Sequence, residues 1–228
     1  MDLPGKPGLA DVIEVVAKAA PGMRIRLGSL EPTVITEDFC RRLARTGKLC
    51  RHFHLSLQSG CDRTLKAMNR KYDTAQFYAA VELLRKYFPG CALTCDLITG
   101  FPGETEDDQQ ATLEFIQKCA FADMHIFPYS RRPGTPADKM PGQNTSAVKS
   151  ARAREAQKIA ARMRRDYMLS CLGTELEVLF ESESEGGFIG HSDNYLSVFA
   201  AGENLRGQMK TLRIVSLEDD VLQGVITD

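Results

Sequence analysis

Hydrophobic positions follow two alternating periods along the first 143 residues. Runs with apolar residues three or four positions apart predict helices at 9–20, 36–46, 73–88 and 105–120. Shorter runs that alternate every second residue predict strands at 24–30, 52–58, 91–99 and 123–129. Because the strands alternate with helices, the pattern predicts βα units and a parallel sheet of four strands.

Polar residues at the predicted helix starts support these boundaries. Thr36 is a suitable N-cap, and Asp73 with Gln76 and Thr105 with Asp108 have the spacing of a capping box. Residues 131–143 are rich in proline, glycine and polar side chains and predict a loop, and 145–170 predict a long helix.

The pattern changes after residue 174, where short β-rich runs separated by glycine or aspartate replace the alternation. Five such runs stand at 175–181, 187–191, 195–199, 207–215 and 221–226. Five short strands in so small a segment predict a small β-barrel.

Each strand of the predicted parallel sheet carries polar or aromatic side chains on one face. In the strand 52–58 that face is His52, His54, Ser56 and Gln58. Two interpretations are open: the polar face meets solvent, or it lines a lumen that holds a ligand near the carboxyl ends of the strands. The second interpretation is favoured because both faces of a parallel sheet in α/β units are normally covered and do not meet solvent.

Composition restricts the class of protein. The chain has 228 residues, enough for two domains, with 43% hydrophobic and 26% charged residues, as in a soluble globular protein. It has no apolar run long enough to span a membrane and no secretory signal, so we expect a cytoplasmic protein with no membrane partner. The seven scattered cysteines are then expected to be reduced thiols.

Charged residues are unevenly distributed along the chain, although the net charge is only −1. Residues 149–171 hold seven basic and two acidic side chains, whereas residues 172–228 hold three basic and eleven acidic ones. The basic segment is either a solvated helix face or a track for RNA phosphates. The acidic segment is a poor general binder of polyanions, so RNA contact there would have to be local.

Five motifs, in order, resemble the methylthiotransferase family of radical-SAM enzymes. They are Arg-Leu-Gly-Ser-Leu-Glu-Pro (26–32), His-Leu-Ser-Leu-Gln-Ser-Gly (54–60), Met-Asn-Arg-Lys-Tyr (68–72), Asp-Leu-Ile-Thr-Gly-Phe-Pro-Gly-Glu-Thr (96–105) and Phe-Pro-Tyr-Ser-Arg-Arg-Pro-Gly-Thr-Pro-Ala (127–137). Three segments are similar to the subgroup that acts on threonylcarbamoyladenosine in tRNA: Leu-Gly-Ser-Leu-Glu-Pro (27–32), His-Phe-His-Leu-Ser-Leu-Gln-Ser-Gly (52–60) and His-Ile-Phe-Pro-Tyr-Ser (125–130).

The resemblance implies an architecture. Residues 1–143 would be the carboxy-terminal part of a radical-SAM (TIM-like) α/β barrel, strands three to six of six. Residues 144–171 would be a basic connecting helix, and 172–228 a TRAM domain, a small OB-like β-barrel that binds RNA. A half-barrel exposes two sheet edges, so we expect marginal stability or a non-native dimer through those edges.

The resemblance also implies a reaction. The family adds a methylthio group to carbon 2 of a modified adenosine beside the anticodon, so the partner would be a tRNA anticodon stem-loop. The implied cofactors are S-adenosylmethionine and two [4Fe–4S] clusters. Alternatives are a relative that acts on isopentenyladenosine in tRNA, one that acts on a ribosomal-protein aspartate, and a non-catalytic RNA-binding module.

The sequence departs from the family at its cysteines. The family's Cys-x-x-x-Cys-x-x-Cys motif is absent, and Cys91 and Cys95, the one near match, share a predicted strand face with Leu93 and Leu97. They are therefore expected to be core thiols, and no metal ligand is assigned. We expect the chain to be a fragment that lacks the cluster-binding amino-terminal half and is inactive alone.

The resemblance implies cofactor contacts at the strand ends and RNA contacts around them. The residues expected near S-adenosylmethionine are Gln58, Ser59, Asp96, Gly100, Pro102, Gly103, Glu104, Phe127 and Tyr129. Five of them have a specific structural alternative: a turn for Gln58 and Ser59, an ion pair with Arg26 for Asp96, a helix cap for Glu104 and a core position for Phe127.

The residues expected near RNA are His54, Arg131, Arg132, Lys210 and Arg213, together with a track on the basic helix. That track is Lys149, Arg152, Arg154, Lys158, Arg162, Arg164 and Arg165. A metal bound by His52 and His54 is the disfavoured alternative, because no further ligand set is visible.

Overall fold

A computed structural model describes residues 8–227. Its helices are α1 (Leu9–Ala19), α2 (Glu37–Thr46), α3 (Asp62–Ala67), α4 (Thr74–Tyr87), α5 (Glu106–Cys119) and α6 (Ser146–Ser170). Its first four strands are β1 (Ser29–Leu30), β2 (His52–Gln58), β3 (Ala92–Thr99) and β4 (Asp123–Pro128). The last five are β5 (Glu175–Ser184), β6 (Gly187–Ser192), β7 (Ser197–Ala201), β8 (Met209–Glu218) and β9 (Val221–Ile226).

The first four strands form one parallel sheet in the order β1-β2-β3-β4, which confirms the predicted βα units. The apolar sides of β2 and β3 are fully buried in a core shared with the helices, through Phe53, Leu55, Leu57, Leu93 and Leu97. Apolar residues of the sheet therefore pack on the helices, and the polar face is left for other uses.

The predicted first strand, 24–30, is too long. Only Ser29 and Leu30 pair continuously with β2, and Ile25 forms a single isolated bridge with Leu49. Arg24, at the start of the predicted strand, instead donates to the carbonyl oxygens of Glu177 and His191 in the second barrel.

The predicted helix caps are present. The side chain of Thr36 accepts from the amide of Phe39, and both capping boxes form, at Asp73 with Gln76 and at Thr105 with Asp108. These caps satisfy amides that a helix start otherwise leaves unpaired, and they set where each helix begins.

Strands β5 to β9 close into a barrel in the order β5-β6-β7-β9-β8, with β8 also pairing with β5. All five predicted runs contain a strand, although the third begins at Ser197 rather than at 195. Tyr195 instead lies in the preceding turn with a left-handed φ of 66°. The core of this second barrel includes Val178, Phe180 and Val198.

Helix α6 joins the two parts and runs antiparallel to the sheet strands. Near its start, the carbonyl of Lys149 accepts from Thr99 at the end of β3. Near its end, Arg164 pairs with Asp123 at the start of β4. The second barrel therefore lies at the amino-terminal end of the sheet, where Arg51 makes two hydrogen bonds to Asp193 of 2.5 and 3.1 Å.

Within residues 8–227, no helix has the length and apolar character needed to cross a membrane.

Candidate functional site

A cleft of about 540 Å³ opens at the carboxyl ends of β2, β3 and β4. Its walls include four residues expected near the cofactor, Gln58, Asp96, Phe127 and Tyr129, and one expected near RNA, Arg132. In parallel α/β sheets this edge is the usual position of a binding site. The structure thus brings together residues that are up to 74 positions apart in the sequence.

Gln58 reaches the cleft through an unusual backbone conformation. It is a non-glycine residue with a φ of 66°, and the pairing register between β2 and β3 shifts between Leu55 and Gln58. Such conformations are uncommon and are found preferentially at functional sites. The following residue, Ser59, is buried, and its hydroxyl accepts from the amide of Cys61 at 3.2 Å, which gives it the turn role.

Polar side chains form a continuous row on the inner face of the sheet. The hydroxyl of Thr94 lies 3.1 Å from Nε2 of His52 and 2.9 Å from Nδ1 of His54. Nε2 of His54 lies 3.3 Å from a carboxylate oxygen of Asp96. Arg26, the expected alternative partner of Asp96, stacks instead over the ring of Tyr195, with Cζ 4.1 Å from the ring centroid.

The glycine-containing turn at residues 100–104 has a rigid internal structure. A carboxylate oxygen of Glu104 accepts from the amide of Gly100 at 2.8 Å, and the amide of Gly103 donates to the carbonyl of Gly142. Pro102 is buried. These residues lie beside the cleft and do not line it, so their contact with a cofactor stays a prediction.

Glu104 does not cap its helix, since Thr105 has that role. Its carboxylate pairs with Arg152 of α6 at 2.9 Å, and both side chains are buried. Burial raises the pKa of Glu104, and the bonds from Gly100 and Arg152 oppose that rise. The pair ties the glycine turn to the connecting helix.

Arg131 and Arg132 have different surroundings although they are adjacent. Arg131 is engaged by Asp138, with hydrogen bonds of 2.9 Å to the carboxylate and 2.7 Å to the carbonyl. Arg132 is exposed, and its guanidinium has no partner among residues 8–227. Its carbonyl accepts from Thr135, which closes a turn through Gly134 at a φ of 87°. Arg132 is therefore the better placed of the two to bind an anion.

Three cations of the expected RNA track are used inside the protein, which corrects that part of the prediction. Lys149 donates to the carbonyl of Tyr129, Arg152 is buried with Glu104, and Arg164 pairs with Asp123. The remaining four, Arg154, Lys158, Arg162 and Arg165, are exposed on α6.

The two cations expected near RNA on the second barrel lie on β8. Arg213 pairs with Glu175 at 3.0 Å, while Lys210 is half-buried beside the β5 strand. An RNA phosphate would have to compete with Glu175 for Arg213, and RNA binding by both residues stays a prediction.

The cysteines of the described chain do not fit an iron–sulfur cluster. Cys91 and Cys95 are buried on the packed side of the sheet, as expected of core thiols. Burial raises the pKa of Cys91 to about 12 and that of Cys95 well above its usual value, whereas a cluster ligand must be a thiolate. No three metal-ligating side chains in residues 8–227 are grouped as a site.

Sequence signals are weak for two groups that the structure shows to be important. Arg152 shares the buried side of α6 with Ala153, Ala156 and Ala160, so a charge on an apolar helix stripe is the available signal. The second group is Tyr195, whose ring stacks on that of His191. Its ring centroid also lies 5.0 Å from that of His52, across the boundary between the sheet and the second barrel, and no local pattern indicates this contact.

Comparison with known families agrees with this geometry. The profile of the Radical SAM superfamily matches residues 3–116, half of the chain. The chain therefore belongs to the Radical SAM superfamily.

The curated relatives are more specific. The chain is 36% identical over 198 residues to the threonylcarbamoyladenosine tRNA methylthiotransferase MtaB of Bacillus subtilis (strain 168), covering 84% of this chain and 44% of the relative. It is 34% identical over 229 residues to the tRNA-2-methylthio-N(6)-dimethylallyladenosine synthase of Chloroflexus aurantiacus, covering 98% and 49%. These matches confirm the resemblance to methylthiotransferases. The chain spans about half the length of the curated relatives it matches.

A solved structure supports the fold alone. Coproporphyrinogen III oxidase (HemN) from Escherichia coli, a radical-SAM enzyme, aligns with a TM-score of 0.57 at 17% identity, covering 70% of this chain and 38% of that one. The parallel sheet is thus part of a radical-SAM barrel, and membership of the superfamily implies the use of S-adenosylmethionine and a [4Fe–4S] cluster.

Proposed function

We propose that this chain is the substrate- and cofactor-binding part of a tRNA methylthiotransferase that modifies carbon 2 of threonylcarbamoyladenosine beside the anticodon. The observation that carries the proposal is the cleft at the strand ends, where Asp96, Tyr129 and the unpaired Arg132 meet. A carboxylate, an aromatic ring and a free guanidinium are suitable partners for the hydroxyl, base and phosphate groups of a nucleotide.

The choice between threonylcarbamoyladenosine and other modified adenosines as the substrate rests on sequence motifs and relatives. Relatives named for threonylcarbamoyladenosine and for dimethylallyladenosine both match at similar identity. The segments at 27–32, 52–60 and 125–130 favour the first, so threonylcarbamoyladenosine is the substrate that we propose. The alternative substrates differ in the group on N6 of the adenosine, so binding to differently modified RNAs distinguishes them.

Residues 1–143 are the barrel part in this proposal, and 144–171 connect it to a TRAM domain at 172–228. The exposed cations of α6, Arg154, Lys158 and Arg165, would follow the RNA backbone on the outside of the sheet. Each phosphate neutralised by a cation releases counterions, so binding should weaken steeply with salt.

In the complete enzyme, the radical step would be supplied by a cluster and S-adenosylmethionine. The residues of this chain do not fit the cluster, so their proposed part is to bind and orient. Tyr129 would stack on a base, Asp96 would accept a hydrogen bond from a ligand donor, and Arg132 would hold an anionic group. We propose that this chain alone does not carry out the radical step.

Fluorescence anisotropy with anticodon stem-loops tests the RNA and substrate parts. Three labelled RNAs would carry adenosine, threonylcarbamoyladenosine or isopentenyladenosine next to the anticodon. We expect the tightest binding for threonylcarbamoyladenosine. Equal affinity for the three would overturn the substrate choice, and no binding to any would overturn the RNA-binding role.

A matched pair of triple variants tests the track on α6. R154Q/K158Q/R165Q should weaken binding and reduce the slope of affinity against salt by roughly one for each phosphate that is no longer neutralised. K18Q/R41Q/K66Q removes the same charge from α1, α2 and α3 and should have a much smaller effect. Equal decreases in affinity for both triple variants would show that only net charge matters.

Anaerobic iron–sulfur reconstitution tests the cofactor part. We expect no stoichiometric [4Fe–4S] spectrum from this chain, because the thiols of Cys91 and Cys95 are buried and protonated. A stoichiometric cluster that responds to S-adenosylmethionine would contradict the assignment of both cysteines to the core.

A further inference from the structure

Four polar residues on the inner face of the sheet form a continuous row from its floor to the cleft. The row is His52, Thr94, His54 and Asp96, with separations of 3.1, 2.9 and 3.3 Å between successive polar atoms. His52 and Thr94 are buried, whereas Asp96 is partly exposed in the cleft wall. The row thus connects a buried end at His52 to an end at Asp96 that a ligand in the cleft can reach.

With His54 neutral and an N–H group facing Asp96, the donors and acceptors in the row have one consistent assignment. Nε2 of His54 faces Oδ2 of Asp96 at 3.3 Å, an electrostatic contact without hydrogen-bond alignment, and a carboxylate can only accept. A neutral His54 with its proton on Nε2 therefore uses Nδ1 to accept from the hydroxyl of Thr94. The Thr94 oxygen then accepts from Nε2 of His52. This leaves Nδ1 of His52 as an acceptor that carries no proton and receives no hydrogen bond.

The buried surroundings of His52 agree with this assignment. Its Nδ1 is buried and has no hydrogen-bond partner among residues 8–227, which is less costly for a bare acceptor than for an N–H group. Burial, with a smaller contribution from the charge of Arg26, lowers the pKa of His52 to about 4 and keeps the ring neutral. Tyr195 lies 5.0 Å away and covers this end.

The opposite end of the row has an unused acceptor. Asp96 uses Oδ2 for His54, and its Oδ1 has no partner within the described range 8–227. The ring of His125 lies 5.6 Å from that of His54 on the same face, and no other ionisable side chain of that range forms an ion pair with either residue. Oδ1 is therefore free for a donor group of a ligand.

We propose that His52 and Thr94 form a directional hydrogen-bond relay that sets the tautomer of His54, whose Nε2–H faces the Asp96 carboxylate and orients it as the acceptor for a hydroxyl or amino group of the ligand in the cleft. Thr94 is a positioning residue, because it sets the tautomer of His54 without touching the ligand. The ligand part rests on the proposed function, which supplies two sources of such a group: S-adenosylmethionine and the modified nucleoside.

Histidine side-chain NMR on the ¹⁵N-labelled chain tests the relay without any ligand. We expect both His52 and His54 as Nε2–H tautomers. T94V removes the hydroxyl at nearly constant shape and should convert His54 to a mixture of tautomers, and T94S should restore the single form. A His52 with Nδ1–H in the unmodified chain, or an unchanged His54 in T94V, would overturn the relay.

Ligand titrations followed by backbone amide shifts test the Asp96 end. S-adenosylmethionine and N6-threonylcarbamoyladenosine would be added separately to the unmodified chain and to D96N. We expect D96N to weaken by about tenfold the binding of the ligand that donates to Oδ1, because the variant lacks a hydrogen bond to a charged group. T94V should weaken the same ligand less, with T94S restoring its affinity.

The two experiments separate the relay from the proposed function. Unchanged affinities for both ligands in D96N would overturn the acceptor role of Asp96. If neither ligand perturbs the cleft amides, the ligand part falls together with the proposed function, while the tautomers still decide whether the relay exists.

Discussion

Glu104 and Arg152 form an ion pair in which Oε1 and Nη1 are 2.9 Å apart, with 3% and 8% of their side chains exposed. The pair joins the turn after β3 to α6, and Arg152 also donates to the carbonyl of Glu104. Because neither charge has access to water, each depends on the other.

Removing one partner of this pair should be strongly destabilising. R152M should lower the free energy of unfolding by about 3–5 kcal/mol, since it leaves a buried carboxylate unpaired. R152M/E104Q should recover part of that stability. Urea denaturation measures both, with R41Q, which removes an exposed pair with Asp38, as a control expected to change stability by less than about 1 kcal/mol. A decrease in R152M no larger than in R41Q would contradict the buried-pair interpretation.

An alanine at Gly100 should be more harmful than at Gly28. Gly100 has a φ of 72°, and an added Cβ would overlap Cγ of Lys149, whereas nothing lies within 4 Å of the corresponding position at Gly28. We expect G100A to lower the free energy of unfolding by about 1–3 kcal/mol and to displace the start of α6. Thermal or urea unfolding of G100A and G28A checks this, and equal stabilities would show that the turn tolerates a side chain.

The neutral state of His52 predicts a pH dependence of stability. Its pKa in the folded protein is about 4, below the ordinary value of 6.5, so the unfolded chain binds the proton more tightly between these pH values. This contribution to stability should therefore be complete above pH 6.5 and fall as the pH decreases towards 4. Urea denaturation across this range measures the fall, and H52Q should lack this contribution. The same slope in H52Q would assign it to other groups.

Thiol reactivity should distinguish core cysteines from accessible ones. Cys61 is half-buried, whereas Cys91, Cys95 and Cys119 are buried with raised pKa values. At pH 8 we expect iodoacetamide to modify Cys61 first and the other three only on unfolding. Mass spectrometry of the native chain over time follows the order, and early modification of Cys91 or Cys95 would show that they are accessible to ligands.

Local sequence signals predict most elements because their causes are local. The capping residues Thr36, Asp73 and Thr105 and the apolar periods around them lie within the segments they define. Helix α3 has no such signal because its six residues, Asp62–Ala67, are too few to show a period. Strand β1 is shorter than its pattern predicts, and Arg24 in the segment before it contacts the distant second barrel, which no local pattern indicates.

The candidate site is predictable only in part for the same reason. Strand alternation places Gln58, Asp96 and Tyr129 near one edge, and the cleft contains all three. The partners of Glu104, Asp96 and Arg131 are not predictable, since each depends on which of several charges the folded chain brings close. The sequence identifies which residues are polar and inward-facing, and the fold decides which of them remain free.

The antiparallel course of α6 separates the two regions assigned to RNA. The cleft lies at the carboxyl ends of the sheet strands and the second barrel at their amino ends, so the two are separated by about the length of β2, seven residues or roughly 20 Å at 3.3 Å per residue. We expect a nucleic acid longer than one nucleoside to be needed to contact both regions, so discrimination between a whole tRNA and a free modified base would be a matter of reach as well as of chemistry.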